Sequence, residues 1–206
     1  MKTLLKVLLG LFAALLLLFF GGGMALSGQA RVERTALVEA PPFAVQAVVE
    51  DLSTWPEWSA WNKERDPQAE WSFEGEPGAG MRWSWQSEGP LGTGSLTVTG
   101  STPERVDFQL RFEDSSGLME ASDAMVLTPT EEGTQVTWAM DHTFDPLLLR
   151  WIVQLGVFDA MLGADYEAGL TGLGERLAPE SADAAQPAAG DPETEEPKTE
   201  APASGE

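Results

Sequence analysis

The chain has no cysteine and a single histidine among its 206 residues. Without cysteine there is no disulfide framework, no thiolate metal site and no cysteine nucleophile. One histidine excludes a multi-histidine metal centre. Basic residues are scarce as well, 12 against 33 acidic ones, for a formal net charge of −21. So acidic a chain does not neutralise phosphates, which excludes nucleic acid as a partner. It also lacks the positive patch needed to dock on anionic lipid headgroups by charge. The acidity reads as a solvating surface. There is no Gly-x-Ser-x-Gly elbow, so no serine-hydrolase site is indicated.

The two ends differ from the middle. Lys2 and Lys6 are followed by Val7 to Leu26, twenty residues without a charge. Twenty helical residues span ~30 Å, about one hydrocarbon core. The preceding lysines place the N-terminus in the cytoplasm and the rest of the chain on the extracytoplasmic, periplasmic side of the cytoplasmic membrane. Residues 1–27 therefore read as a retained single-pass anchor. A signal peptide cut near Gly23-Met24-Ala25, leaving a secreted protein, is the alternative. Pro179 to Glu206 carries eight acidic residues, one lysine and no aromatic. Residues 179–206 bury too little to order themselves and read as a disordered tail. Residues 30–178 remain as one domain.

The middle begins with a partly alternating stretch, Arg31 to Glu39, which predicts a strand. Ala40-Pro41-Pro42 ends it and starts a short helix with proline in the first turn. Ser53 is placed to cap a second short helix carrying Trp55 and Trp58. A run of strands follows. Met81, Trp83 and Trp85 share one face, and Val106, Phe108, Leu110 and Phe112 alternate with Asp107, Gln109, Arg111 and Glu113. Met119 to Thr128 and Gln135 to Thr143 read as a hairpin about Glu132-Gly133, with Gly133 supplying a positive φ. Asp145-Pro146 opens a long helical segment. Its stripe is Leu155, Phe158, Leu162, Tyr166, Leu170, Leu173 and Leu177. Gly163, Gly169, Gly172 and Gly174 predict either a kink near Gly163 or close approach to the sheet. The expected fold is α+β: a strand, two short helices, about six antiparallel strands and a C-terminal helix gripped by the curved sheet.

That order, with Ala40-Pro41-Pro42, Trp55-Pro-Glu-Trp58-Ser-Ala-Trp61, Gly78-Ala-Gly80-Met-Arg-Trp83-Ser-Trp85 and Gly133-Thr-Gln-Val-Thr-Trp138, resembles the START-like superfamily. This is the polyketide cyclase/dehydrase and lipid transport family, and membrane-anchored bacterial members look similar from end to end. The resemblance covers about residues 31 to 177. It implies a helix-grip fold with a deep apolar cavity and implies no particular reaction.

The hairpin carries the one sharp chemical inference. A turn at Glu132-Gly133 sets Leu127 opposite Trp138, Met125 opposite Met140 and Asp123 opposite His142. Opposed side chains lie ~5 Å apart, so the single histidine and an aspartate meet on the inward face. There they are candidates for an acid–base pair. Moving the turn centre one residue later sets His142 opposite Met125, and moving it one earlier sets it opposite Ala121. Either shift breaks the pair.

Expected cavity-lining residues are Trp83, Trp85, Phe108, Met125, Trp138, Met140, Phe158, Leu162 and Tyr166. Trp55, Trp58 and Trp61 read as packing that seats the short helices on the sheet. The leading expectation is a module that binds a hydrophobic small molecule or lipid at the membrane, with no cofactor and no metal. One alternative is a cyclase- or isomerase-type enzyme using Asp123 and His142. The other is an interaction domain with a filled core.

Overall fold

A computed structural model of the chain describes residues 2–114 and 117–178. The acidic tail read as disordered lies outside the described residues. An apolar helix, α1 (Lys2–Ala25), precedes everything else. The domain then runs β1 (Gln29–Val38), α2 (Pro42–Val49), a single 3₁₀ turn, α3 (Trp55–Trp58), β2 (Glu70–Glu74), β3 (Arg82–Gln86), β4 (Thr93–Thr102), β5 (Arg105–Asp114), β6 (Gly117–Thr130), β7 (Gly133–Thr143), α4 (Leu147–Gln154) and α5 (Val157–Leu177). The strands form one antiparallel seven-stranded sheet in the order β1-β7-β6-β5-β4-β3-β2. The expected α+β architecture is thus present: a curved sheet, short helices after the first strand and a long C-terminal helix, consistent with the helix grip.

The topology follows from where apolar side chains must go. Every strand alternates, so the sheet has one apolar face, and α2, α3 and α5 cover it. Val32, Val98, Val106, Met125, Leu127, Val136 and Trp138 from the strands meet Val45, Val49, Trp55, Leu170 and Leu173 from the helices in one buried cluster. A fully buried indole removes roughly 200 Å² of mostly apolar surface, a gross gain of about 5 kcal/mol. Trp55, Trp83 and Trp138 are all in this class. On the edge strand β1, Arg34 reaches up to Asp159 and Glu167 and ties α5 to the sheet.

Three local expectations need correction. The Asp51 side chain, not Ser53, caps the turn before α3, accepting the Ser53 N–H at 3.1 Å. The C-terminal helical segment is broken at Gly156, which has φ +71°, rather than near Gly163. There α4 and α5 meet at a 60° bend. Gly163, Gly169 and Gly172 instead serve close packing. A Cβ on Gly169 would lie 2.8 Å from the Trp138 ring, and one on Gly172 would lie 2.2 Å from the Trp58 carbonyl oxygen.

The third correction concerns register. Thr130 pairs with Gly133, so the two turn residues between β6 and β7 are Glu131 and Glu132. Asp123 therefore faces Met140, Met125 faces Trp138, and Leu127 faces Val136. The turn centre lies one residue earlier than Glu132-Gly133. Gly133 does have positive φ, +141°, but as the first strand residue, because a Cβ there would come within 2.3 Å of the Val38 carbonyl oxygen. Crowding by the edge strand, and not the turn type, is what calls for this glycine.

Two α5 glycines should respond oppositely to alanine. Gly172→Ala must push α5 off α3 and should cost about 1–3 kcal/mol. Gly174, with open space at its Cβ position, should gain up to ~1 kcal/mol from helix propensity. Urea denaturation of the detergent-solubilised full chain checks both signs.

Candidate functional site

Between the inner face of the sheet and α5 lies a cavity of 170 Å³. Its floor is aromatic. Trp138 from β7 stacks on Tyr166 from α5, with ring centroids 4.0 Å apart and planes 13° from parallel. Trp55 stands edge-on to Trp138 at 5.4 Å, and Trp61 does so at 5.8 Å. Larger hollows of 580 and 350 Å³ lie on the opposite face of the sheet. They are open, mixed-polarity troughs that enclose nothing.

Two charged residues interrupt this apolar wall: Arg65, which is paired with Asp165, and one carboxyl. Asp123 lies on β6, third strand from one edge of the sheet, with odd-numbered neighbours Ala121 and Met125 both buried. The alternation that buries them turns Asp123 inward and leaves it 5% exposed. Its Oδ1 accepts the Trp138 Nε1–H at 2.8 Å, and its Oδ2 accepts the Tyr166 O–H at 2.8 Å. Burial pushes the carboxyl up to about 7, against the pull of the two donors in the other direction. Burial first, then the adjacent Asp123 charge, drives the Tyr166 phenol far above its ordinary range. The phenol is thus a permanent donor, while the carboxyl changes charge near neutrality. Trp83 also lines the cavity, and its Nε1 is buried with no partner.

A loop from Ser59 to Ala69 closes one side. Buried Asp66 pins it, accepting backbone N–H groups from Gln68 and Leu91. The Ser87 hydroxyl and these N–H groups hold the Asp66 carboxyl below its ordinary range.

Of the residues expected to line the cavity, Trp83, Trp85, Trp138, Met140, Phe158, Leu162 and Tyr166 are on its wall. Phe108 and Met125 are not; both are packed into the core. The Asp123–His142 pair does not form. His142 is one same-face step beyond Met140, ~7 Å along the strand. Its Nδ1 lies 2.8 Å from the Glu120 carbonyl oxygen, and its ring stands edge-on to Phe144. The partner of Asp123 is Tyr166, 43 residues away on α5. No strand register pointed to that contact, although Tyr166 is the chain's single tyrosine and falls on the inward stripe. Trp55 and Trp61, read as packing only, also line the cavity. Among the described residues no cluster of acidic or histidine side chains is arranged for a metal ion.

A curved antiparallel sheet covered by one long helix, with a cavity between them, defines an α+β fold of the helix-grip kind. A family model corroborates it. The chain belongs to the polyketide cyclase / dehydrase and lipid transport family, whose model matches residues 29–178. Solved structures share the fold at low identity. A Chromobacterium violaceum protein is 14% identical, covering 73% of this chain and 99% of its own, with a TM-score of 0.53. A Staphylococcus aureus protein of unknown function is 13% identical, covering 73% and 94%, with a TM-score of 0.54. An uncharacterised Rhizobium leguminosarum protein is 15% identical, covering 72% and 94%, also with a TM-score of 0.54. No curated protein matches the chain.

Because the folded carboxyl titrates above its unfolded value, Asp123 contributes stability that is full below about pH 4. That stability is lost as pH rises through about 7. The slope of one proton is at most ~1.4 kcal/mol per pH unit. Asp123→Asn keeps a donor and an acceptor in place and should flatten unfolding free energy between pH 4 and 8 relative to wild type. Urea titrations across that range check it. Tyr166→Phe removes a bond that pulls the carboxyl down. It should cost about 1–3 kcal/mol and move the pH-sensitive window upward.

Proposed function

We propose that the domain binds a compact hydrophobic molecule carrying one polar group, held in the cavity between the sheet and α5. The observation that carries this reading is the single hydrogen-bonded carboxyl, Asp123, in a wall that is aromatic and aliphatic apart from Arg65, which is paired with Asp165. Buried polar groups cost stability unless they are satisfied. A titrating carboxyl at a cavity surface, in a wall that also holds Trp83 with its unpartnered Nε1–H, supports a site that meets a ligand's hydroxyl or carbonyl. At 170 Å³ the space is close to the ~150 Å³ cavity known to admit benzene and below the ~300 Å³ of drug-sized sites. The ligand is therefore about one ring or a short branched chain, and a whole diacyl lipid does not fit this closed form.

The helix α1 is long and apolar enough to cross a membrane. We read it as a retained anchor with Lys2 and Lys6 in the cytoplasm, which puts the cavity on the extracytoplasmic side. Intact mass of membrane-extracted protein tests this: the full-length mass is expected, and a mass beginning near Leu26 would mean a cleaved signal instead.

A second reading has its own support. A carboxyl with pKa near 7, beside a phenol on a cavity wall, suits general acid–base work on a bound carbonyl compound. Asp123→Asn separates the two readings, since it preserves binding contacts and removes the proton carrier.

Calorimetry on the full chain in detergent tests the binding proposal with single-ring probes. p-Cresol should bind at least ~10-fold tighter than p-xylene, the worth of one buried hydrogen bond. Asp123→Leu should erase the difference. Equal affinities would remove Asp123 from recognition. No uptake of either probe above micelle partition, with no co-purifying apolar compound by native mass spectrometry, would overturn the reading.

A further inference from the structure

We infer that the cavity mouth is seated on the lipid bilayer by the α4–α5 elbow, so that the ligand is taken from and returned to the membrane rather than to water. This rests on the reading of α1 as a membrane helix and goes beyond it.

The position of the mouth follows from topology. In an antiparallel sheet the strand ends fall into two sets. Gln29 of β1 pairs with Thr143 of β7, Thr93 of β4 with Glu113 of β5, and Glu70 of β2 with Gln86 of β3. These residues, and the β3–β4 connection beside them, mark the end of the sheet where α1 joins. The half-buried cavity residues Phe112, Met119 and Phe158 lie toward this end, as does the exposed Pro90. The fully buried residues Trp138 and Tyr166 form the floor. The cavity therefore opens toward α1.

The surface around that opening is unlike the rest of the molecule. α4 reads Leu-Leu-Leu-Arg-Trp-Ile-Val-Gln, and none of its eight residues is buried. Leu148 is 59% exposed, Leu155 75% and Met161 71%. The polar residues of α4 turn the other way: Arg150 Nη1 donates to the Leu26 carbonyl and Gln154 Nε2 to the Ser27 carbonyl. Along α5 the outward residues change from Val157, Met161 and Ala164 near the mouth to Glu167, Thr171 and Glu175 at the far end. An elbow that leaves Leu148, Leu155, Val157 and Met161 exposed, beyond the Leu147 and Trp151 side chains that pack on α1, needs an apolar neighbour.

The neighbour is identified by where α4 sits. Trp151 Nε1 donates to the Phe19 carbonyl at 3.3 Å, and its ring packs on Gly22 of α1. Phe19 is six residues from the end of α1, which puts Trp151 ~9 Å along the helix from that end. An interfacial helix buries its apolar face ~5–10 Å deep at the headgroup boundary, and tryptophan is favoured at that level. So α4 lies beside the part of α1 that crosses this zone. Of the charges at this end, Arg31 is paired with Asp141 and Arg111 with Glu120 on the outer face of the sheet, while Glu70, Glu88, Glu113 and Asp145 are exposed acids outside any ion pair among the described residues, so this end has no positive patch to offer anionic lipid. Apolar insertion, and not charge, is the docking force, and zwitterionic lipid suffices.

The cysteine-free chain allows a direct test. Single-cysteine variants Leu16→Cys, Leu148→Cys, Leu155→Cys, Met161→Cys and Glu132→Cys of the full chain are labelled with a nitrobenzoxadiazole probe. They are reconstituted into phosphatidylcholine vesicles with or without a nitroxide-labelled phosphatidylcholine. Labels at 148, 155 and 161 should show at least half the quenching seen at 16, while the label at 132, at the far end of the sheet, shows none. If 148, 155 and 161 match 132 while 16 is strongly quenched, the anchor stands and the seated mouth is overturned. If 16 is unquenched as well, the anchor reading fails and this inference falls with it.

Discussion

Trp138 is the point at which the sheet, the short helices and the C-terminal helix are joined. Its ring stacks on Tyr166, meets Trp55 and Trp61 edge-on, and leaves room for only a glycine, Gly169, on α5. Its one polar atom donates to Asp123. An indole is large enough to bridge three layers and has a single N–H to satisfy. Placing that N–H in the core requires an acceptor, and β6 supplies one at the only inward polar position of its central stretch. The second oxygen of that acceptor then needs a donor, which is the Tyr166 phenol. Each partner exists because the previous one would otherwise be an unsatisfied buried group.

This network also sets the character of the site. The sheet is too curved for α5 to fill its inner face completely, and the remaining space lies beside the same three residues. The triad that holds the layers together is therefore also the triad that lines the cavity. The cost of burying a carboxyl is visible in its raised pKa, which ties the chain's stability to the charge of the group that faces the cavity.

Much of the architecture was legible in the chain. Period-two alternation in β5, β6 and β7, proline at the start of α2 and the inward stripe of α5 are local consequences of side-chain geometry, and the element order follows from them. The site was legible only in part. Asp123 stands out because it shares the parity of buried neighbours, and Tyr166 because it falls on the apolar stripe. Their contact depends on how α5 lies across the sheet, which no local rule gives. The Asp123–His142 pairing failed on one residue of register, since Gly133 is called for by the Val38 carbonyl of a strand 95 residues earlier and not by the turn.

By itself, then, the sequence determined the fold class, the absence of thiol and multi-histidine chemistry, the apolar N-terminal helix and the inward parity of the acid. These depend on residue type and on neighbours within a few positions. Only the tertiary structure decided which group partners Asp123, how large the cavity is, and that α4 packs on α1 while leaving Leu148 exposed. These depend on contacts between elements far apart in the chain, where packing and the satisfaction of buried polar atoms choose among arrangements that local preference leaves equal.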